Sequence, residues 1–498
     1  DMPRPLWLRG RAAQLATLFT TLALLVPFVV LVALGAERNK ITPSRHWAWV
    51  GGVTSTTASF RVRGWGGDLF YLSLDSDFNQ IVQTHEITED HATILAQNLS
   101  KSTEYYFGSK GEYGVFKTFD TGPSNFKFVF SSCASTGSRS TVFKKIREEK
   151  ADLYVMTGDL FYGDIGGVDS DDEYDDMFDR VFGSPPQAEL FRSLPVAYMW
   201  DDHDYGPNDA GADSKSRSAA LRSYRRNVPH YALSLGADNG PVAQSFVVGR
   251  VLFILTDLRS QATNEAMMAE DQWEWFERQL QRSPDYGLVL WVSSKPWIGD
   301  EKQGTDAWFG LVDERKRAAN LVARYANNLV MVSGDAHMLA YDSGRNNHYA
   351  DNITSTFPVF NSAPLDKRGS VKGGPFSMDC HASMFLRLHQ YSVMDIEDNG
   401  DKLCFSVKGK RVTSLGDTVD VLGFHGCAPT TNNVEAPGGS CSLVVLPPAA
   451  AAALFIGLIA LLVVTILAVC RLVRPTKPRL RSPFPGHGKH GLRPWGLG

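Results

Sequence analysis

The strongest constraint on the fold is an alternation of apolar strands and helices that begins at residue 126. Six apolar runs have the length of strands: FKFVFSS at 126–132, DLYVMTG at 152–158, PVAYMW at 195–200, RVLFILTD at 250–257, GLVLWVSS at 287–294 and NLVMVSGD at 328–335. Helical patterns such as VDERKRAANLVARYAN lie between them. Strands that are apolar throughout and alternate with helices predict an α/β fold, with a β-sheet core flanked by helices.

Residues 46–120 show a different pattern, with short strands about ten residues apart and turns between them. The run TASFRVRG alternates apolar and polar residues, as a half-buried strand does. This spacing predicts a small all-β sandwich ahead of the α/β domain. Leu99, Thr103 and Tyr105 resemble the corner motif of fibronectin type III domains, although Lys101 stands where that motif has proline.

Two further runs are too long and too apolar for either domain. Residues 12–36 and 449–470 contain no charged side chain, and each exceeds the roughly 20 residues that a membrane helix needs. Seven basic and no acidic residues follow the second run, so the positive-inside rule predicts a cytosolic tail and contact with a lipid bilayer. The central segment would then be extracellular or luminal. A cleaved signal peptide is the alternative for the first run.

These patterns predict five segments: an N-terminal anchor or signal segment (1–36), a β-sandwich (37–121), an α/β domain (122–441), a transmembrane helix (442–470) and a basic cytosolic tail (471–498). The formal charge is −4, with +2 in residues 1–36 and +7 in residues 442–498, which leaves −13 for residues 37–441. An acidic central segment argues against nucleic-acid binding, because neutralising the phosphates requires Lys and Arg.

The cysteines and sequons of the central segment fit an oxidising compartment. Four cysteines cluster late in that segment: Cys380, Cys404, Cys427 and Cys441. They could form two disulfides in any of three pairings. Asn98 and Asn352 each begin an Asn-x-Ser/Thr sequon, so both are glycosylation candidates.

Polar side chains follow the carboxyl ends of four predicted strands. In chain order they are Cys133, then Asp159 with Tyr162, then the run Asp201–Asp204, and finally Asp335 with His337. In α/β sheets the carboxyl ends of the strands form the ligand-binding edge, so all four strands are expected to bring these side chains to the same edge of one sheet. Thiolate, phenolate, carboxylate and imidazole are all metal donors. A bound cation would also offset the repulsion among the carboxylates of Asp201–Asp204, which otherwise must belong to a solvated loop.

Together these motifs resemble the alkaline phosphatase D (PhoD-type) family, which is distantly related to the purple acid phosphatases. The matching motifs are Ser132-Cys133, Gly158-Asp159-x-x-Tyr162, Trp200–Asp204 with Asn208, and Gly334-Asp335-Ala-His337. The resemblance spans roughly residues 46–410. It implies a metallophosphoesterase-type core that hydrolyses phosphate esters by metal-activated hydroxide. Phosphomonoesters are the expected substrates, with phosphodiesters as a second option.

The resemblance implies a dinuclear centre of Fe³⁺ and Ca²⁺. Asp159 would bridge the two metals, and Cys133, Tyr162 and His337 would complete the ferric site. Phenolate and thiolate suit a highly charged, redox-capable metal, so the donor chemistry agrees with this assignment.

The calcium ligands implied by the resemblance are Asp202 and Asp335, with Asn208 near calcium or the phosphate. Related dinuclear phosphatases also supply a histidine where this chain has Ser293, Ser294 and Lys295, so the second metal is expected to bind more weakly. The acidic run at 169–179 is either a further calcium loop or the solvated face of a helix.

His203 and Asp204 are the predicted catalytic residues, with His203 facing the phosphoryl group. Asp204 stands where the family more often has glutamate. Arg259 and Lys295 are candidates for substrate binding, although either could be a structural cation. A catalytically inactive relative, acting in cell-surface ligand binding or adhesion, is the alternative. The complete donor set favours the enzyme.

Overall fold

The computed structural model describes residues 43–109, 112–167, 169–236, 238–302, 304–378, 381–382, 387–429 and 442–443. Both predicted membrane runs and the basic tail lie outside these residues, so the anchors and the extracytoplasmic location stay predictions. Within the described ranges, no helix is both long enough and apolar enough to cross a bilayer. Asn98 and Asn352 are exposed, as glycosylation requires, and their modification also stays a prediction.

The strands of the described residues are β1 (Trp47–Gly51), β2 (Ala58–Arg63), β3 (Leu69–Ser73), β4 (Ile81–Glu86), β5 (His91–Ala96), β6 (Glu104–Ser109), β7 (Glu112–Lys117), β8 (Phe126–Ser131), β9 (Leu153–Thr157), β10 (Val196–Met199), β11 (Gln244–Val248), β12 (Val251–Leu255), β13 (Leu288–Ser293), β14 (Leu329–Ser333), β15 (Leu339–Asp342), β16 (Val359–Ser362), β17 (His381–Ala382), β18 (Gln390–Asp398), β19 (Leu403–Val412), β20 (Thr418–Cys427) and β21 (Ser442–Leu443). The α-helices are α1 (Thr141–Glu148), α2 (Asp171–Phe182), α3 (Pro185–Phe191), α4 (Asp202–Tyr205), α5 (Arg217–Asn227), α6 (Glu270–Leu280) and α7 (Val312–Tyr325).

The strands of the α/β region divide between two large sheets. One has the order β20-β19-β18-β8-β9-β10-β1-β2-β5, and the other has the order β11-β12-β13-β14-β16-β15-β17-β21. Strands β8, β9 and β10 are parallel neighbours in the first sheet, and β12, β13, β14 and β16 are parallel neighbours in the second. The predicted α/β class is therefore confirmed, whereas the expectation that all four motif-bearing strands share one sheet is wrong.

The central strands of each large sheet, such as β9, β12, β13 and β14, are buried on both faces, which explains why these strands are apolar throughout. Between the sheets, Phe128 of β8 packs against Phe253 of β12 with ring centroids 5.5 Å apart. On the outer face of the second sheet, Trp291 of β13 packs against Phe276 of α6 at 4.7 Å. Successive residues of a strand point to opposite faces, so one strand can contribute to both layers.

The N-terminal region is all-β, as predicted, but it shares a sheet with the α/β region. Strand β1 pairs in parallel with β10, and β2 and β5 extend the same sheet, while β4-β3-β6-β7 form a separate four-stranded sheet. Phe60 of β2 packs on Phe70 and Phe107 of that smaller sheet at 5.0 and 4.9 Å. The fibronectin-III-like assignment and the boundary at residue 121 stay predictions.

Two smaller sequence features have clear outcomes. Cys404 and Cys427 lie opposite each other on β19 and β20 and form a disulfide, while Cys380 and Cys441 lie outside the described residues. Most of the acidic run at 169–179 belongs to helix α2. Its Asp175 and Asp179 are not solvated, because they are buried and pair with arginine side chains.

Candidate active site

Three of the predicted site residues occupy equivalent positions in the chain. Cys133, Asp159 and Asp335 each lie two residues beyond the end of a parallel strand, namely β8, β9 and β14. Their φ angles are 65°, 54° and 60°, in the left-handed region that residues other than glycine rarely adopt. Such strained conformations cluster at functional sites and persist only where the surrounding structure enforces them.

The glycines before the two aspartates allow these strand ends to approach their neighbours closely. A Cβ atom on Gly158 would lie 2.6 Å from the Cβ atom of Asp201, and one on Gly334 would lie 2.5 Å from the carbonyl oxygen of Thr157. Since any side chain would collide there, glycine at these positions allows the end of β9 to approach the end of β10 in the same sheet, and the end of β14 to approach β9 across the two sheets.

The predicted ferric donors come together in one cluster. Ligand atoms of Cys133, Asp159 and His337 lie within 4.8 Å of one another, and the Tyr162 hydroxyl is 3.2 Å from Nε2 of His337. The other ring nitrogen of His337 donates a hydrogen bond to the carbonyl oxygen of Arg368 at 2.6 Å. This bond leaves Nε2 as the nitrogen that can bind a metal, an arrangement common among metal-bound histidines.

The electrostatics of this cluster fit a bound cation. Burial raises the pKa of the Cys133 thiol, the Asp159 carboxyl and the Tyr162 phenol, and nearby anionic groups raise them further. Burial also lowers the pKa of His337 to about 4, which keeps its imidazole neutral. Oδ1 of Asp159 is buried and has no hydrogen-bond partner among the described residues. A metal would supply that partner and stabilise the deprotonated donors, so these residues fit a metal site.

A second cluster shares Asp159 with the first. Ligand atoms of Asp159, Asp202 and His203 lie within 4.8 Å of one another. The ring of His203 stacks on Tyr162 with centroids 4.0 Å apart, and its Nδ1 lies 2.6 Å from Oδ1 of Asp164. Because Nδ1 is held by Asp164, Nε2 is the ring nitrogen free to act on a substrate. The bridging role of Asp159 stays a prediction that this sharing supports.

Asp204 lies in a different environment from the one its predicted catalytic role requires. Its carboxylate accepts hydrogen bonds from the backbone amides of Leu160 and Asp201 at 2.8 and 2.7 Å, and from the Tyr198 hydroxyl at 2.5 Å. Burial raises its pKa to about 8. Because both oxygens are engaged by the protein, Asp204 positions the residues around it instead of acting on a substrate.

Arg259 is paired inside the protein as a structural cation would be, which is one of the two roles that the sequence left open; substrate binding by Arg259 stays a prediction. Its side chain is 0% exposed, and its Nε donates to Oδ1 of Asp201 at 2.6 Å. Its guanidinium also lies 3.4 Å from Asp202 and 3.1 Å from Asp306. It therefore offsets three of the carboxylates that would otherwise repel one another.

Among the described residues, neither Lys295 nor Asn208 forms a hydrogen bond or an ion pair with the donor clusters. Lys295 is buried and donates to the carbonyl oxygen of Thr305 at 2.7 Å, and burial lowers its pKa to about 7. Asn208 is exposed in the turn after α4. Its neighbour Asp209 makes the contact with Asp202 instead, through a backbone amide 2.7 Å from Oδ2.

Sequence reasoning missed several residues at the site, and most of them lie on loops. Asp164 holds His203, as described above, and Asp306 lies beside Arg259. The loop after β16 adds Lys367, whose ammonium lies 3.2 Å from the centroid of the Tyr162 ring, and Lys372, whose ammonium lies 2.8 Å from Asp335. The basic run DKRGSVK at 366–372 was the available signal, since it follows a strand that ends at the same edge.

Comparisons with known proteins agree with this geometry. Residues 128–374 match the PhoD-like phosphatase family. A solved structure described as PhoD has a TM-score of 0.65 at 16% identity, covering 81% of this chain and 94% of its own. A purple acid phosphatase, PPD1 from yellow lupin (Lupinus luteus) seeds, has a TM-score of 0.51 at 12% identity, covering 82% of this chain and 78% of its own. Among the curated proteins, none matches the chain. The family predicted from the strand-end motifs is confirmed, and residues 128–374 form a PhoD-like phosphatase domain.

Proposed function

We propose that this protein is a metal-dependent phosphatase that hydrolyses phosphomonoesters at the site formed by Cys133, Asp159, Tyr162 and His337. Membership of the PhoD-like family supports the phosphatase chemistry. The main evidence for a bound metal is the buried Oδ1 of Asp159. This oxygen lacks a hydrogen-bond partner among the described residues although three other donors surround it. A mixture of sulfur, phenol, imidazole and carboxylate donors favours iron over calcium, which prefers oxygen ligands.

The protein's own residues then have distinct tasks. A bound iron ion would polarise the phosphoryl group and stabilise the charge that develops during displacement. His203 would donate a proton from Nε2 to the leaving oxygen, because Asp164 holds Nδ1 and the stacked Tyr162 ring fixes the plane of the imidazole. Arg259 would hold Asp201 and Asp202 in place through its ion pairs, and its positive charge helps to lower the pKa of Asp202.

The structure gives less support to the calcium site than to the iron site. Both oxygens of Asp335 lie within 2.9 Å of the Lys372 ammonium, so this carboxylate is already paired. Asp202 has one buried oxygen without a hydrogen-bond partner among the described residues, but that oxygen lies 3.4 Å from Arg259. The residues present therefore do not fit the predicted calcium site, and the proposal rests on the iron site alone.

The test is hydrolysis of p-nitrophenyl phosphate and bis(p-nitrophenyl) phosphate by the purified full chain. We expect monoester turnover that is lost when the metal is stripped and returns with iron but not with calcium. A folded, iron-loaded protein that hydrolyses neither ester would contradict the proposal and favour the catalytically inactive, ligand-binding alternative.

A further inference from the structure

We infer that the ammonium group of Lys372 takes the place of a second, divalent metal ion, so that this phosphatase works with one metal. The inference rests on the proposed phosphatase site. Nζ of Lys372 lies 2.9 and 2.8 Å from the two oxygens of Asp335 and 2.5 Å from Oδ2 of Asp306. Charge-assisted hydrogen bonds of this length fully engage an ammonium group. A calcium ion between these two carboxylates would need oxygen ligands at about 2.3–2.6 Å, which the ammonium excludes.

Lys372 is held in place by its loop and is not a freely moving surface side chain. On one side, the backbone amide of Ser370 donates to the carbonyl oxygen of His337 at 3.0 Å, and the amide of His337 donates to the Ser370 hydroxyl at 3.2 Å. On the other side, the amide of Gly374 donates to the carbonyl oxygen of Ile298 at 3.2 Å. The lysine side chain is only 32% exposed, so the ammonium remains between its two acceptors.

Glycine at position 373 allows this close approach. Its φ is 76°, and a Cβ atom there would lie 1.9 Å from the carbonyl oxygen of Ile298. The chain can therefore pass directly over the strand-end loop that contains Ile298. This path of the chain brings the ammonium of Lys372 to the carboxylate of Asp335.

Arg259 is a second cation that extends the set of ion pairs around Lys372. Asp306 lies 3.1 Å from the guanidinium of Arg259 and 2.5 Å from Lys372, so carboxylates and cations alternate in the order Asp201, Arg259, Asp306, Lys372 and Asp335. The three carboxylates of this series, Asp201, Asp306 and Asp335, thus each have a protein cation already. Among the described residues, the buried Oδ1 of Asp159 is paired with neither of these two cations, in keeping with a single metal at that residue.

The position of Lys372 also gives it a use in the reaction. Asp335, which it pairs with, is adjacent to the iron-type donors, since Sγ of Cys133 lies 3.9 Å from the carbonyl oxygen of Asp335. The ammonium would therefore provide a fixed positive charge beside the proposed iron site. A phosphatase usually obtains such a charge from a second metal ion. Lys372 would supply it without any dependence on calcium.

The experiment measures calcium binding by isothermal titration calorimetry, using full-length protein with its metal content determined. The variants are Lys372→Met, Lys372→Arg and the control Lys316→Met, since Lys316 pairs with Asp351 at 2.7 Å on the surface. We expect wild type, Lys372→Arg and Lys316→Met to bind calcium weakly or not at all. Lys372→Met should bind it at least about tenfold more tightly, because two carboxylates lose their counter-charge.

Tight calcium binding by wild type would overturn the inference, whether or not the variants fold. So would a folded Lys372→Met protein that gains no calcium affinity over Lys316→Met. The titration measures calcium binding independently of enzymatic turnover. A wild type that hydrolyses no ester would therefore refute the proposed function, while the titration would still decide the role of Lys372.

Discussion

Replacing Asp159 with asparagine is expected to remove the iron and the phosphatase activity together. Asp159 belongs to both donor clusters, and its buried Oδ1 has no hydrogen-bond partner among the described residues. A neutral amide of the same shape leaves the fold intact but cannot supply the negative charge that a metal requires. We expect iron content to fall below about a tenth of the wild-type value, and turnover to fall at least about a hundredfold.

The matched control for Asp159→Asn is Asp152→Asn. Asp152 lies at the other end of the same strand, β9, where it accepts a hydrogen bond from the backbone amide of Lys127 at 3.0 Å. This variant should keep its iron and its turnover. Full iron occupancy in Asp159→Asn, measured by elemental analysis of folded protein, would show that the metal is held elsewhere.

Replacing His203 with alanine is expected to separate turnover from metal binding. Its Nδ1 is held by Asp164 and its ring stacks on Tyr162, so the side chain is positioned to transfer a proton from Nε2. Removing a positioned acid–base group typically lowers a rate by about 10²–10⁴-fold. His203→Ala should therefore retain wild-type iron content, yet hydrolyse p-nitrophenyl phosphate at least about a hundredfold more slowly.

Asp164→Asn provides a graded comparison for the histidine variant. It leaves the imidazole in place but weakens the hydrogen bond that orients it, so turnover should fall less than in His203→Ala. If His203→Ala hydrolyses the ester as fast as wild type, His203 does not transfer the proton. Loss of iron in His203→Ala would instead make His203 a metal ligand.

The sequence predicted the donor cluster because strand ends are visible in a sequence. Cys133, Asp159 and Asp335 each follow an apolar run by the same short interval, and Gly-Asp pairs mark two of the turns. The division of those strands between two sheets was not predictable in this way. A strand that is buried on both faces, such as β8 or β14, gives no sign of which neighbours it pairs with.

The residues with a wrongly predicted role were misassigned for a common physical reason. Adjacency in the sequence does not determine the direction in which each side chain points. Asp202, His203 and Asp204 are consecutive, but the short helix α4 turns them apart, so Asp204 bonds to the backbone of Leu160 while His203 lies on Tyr162. Lys372 was missed for a related reason. It lies ten residues beyond the four-residue strand β16, and its partner Asp335 is 37 residues earlier.

The pairing of the N-terminal region also depends on long-range contacts. Strand β2 alternates apolar and polar residues, as in a small sandwich, but its neighbour β1 pairs with β10 through Gly51 and Val196, which are far apart in the chain. Gly51 permits this approach, because a Cβ atom there would lie 2.4 Å from the carbonyl oxygen of Val196. The periodicity of apolar residues in the sequence identifies a strand. Which sheet the strand joins depends on contacts between distant residues, such as that between Gly51 and Val196.

The iron site is tested most directly by the metal content of purified wild-type protein, measured together with its visible absorption spectrum. Three donors, including a thiol and a phenol, surround Asp159, so we expect one iron per chain and a visible charge-transfer band from phenolate and thiolate ligation. A colourless, iron-free protein that hydrolyses phosphomonoesters at full rate would contradict this expectation.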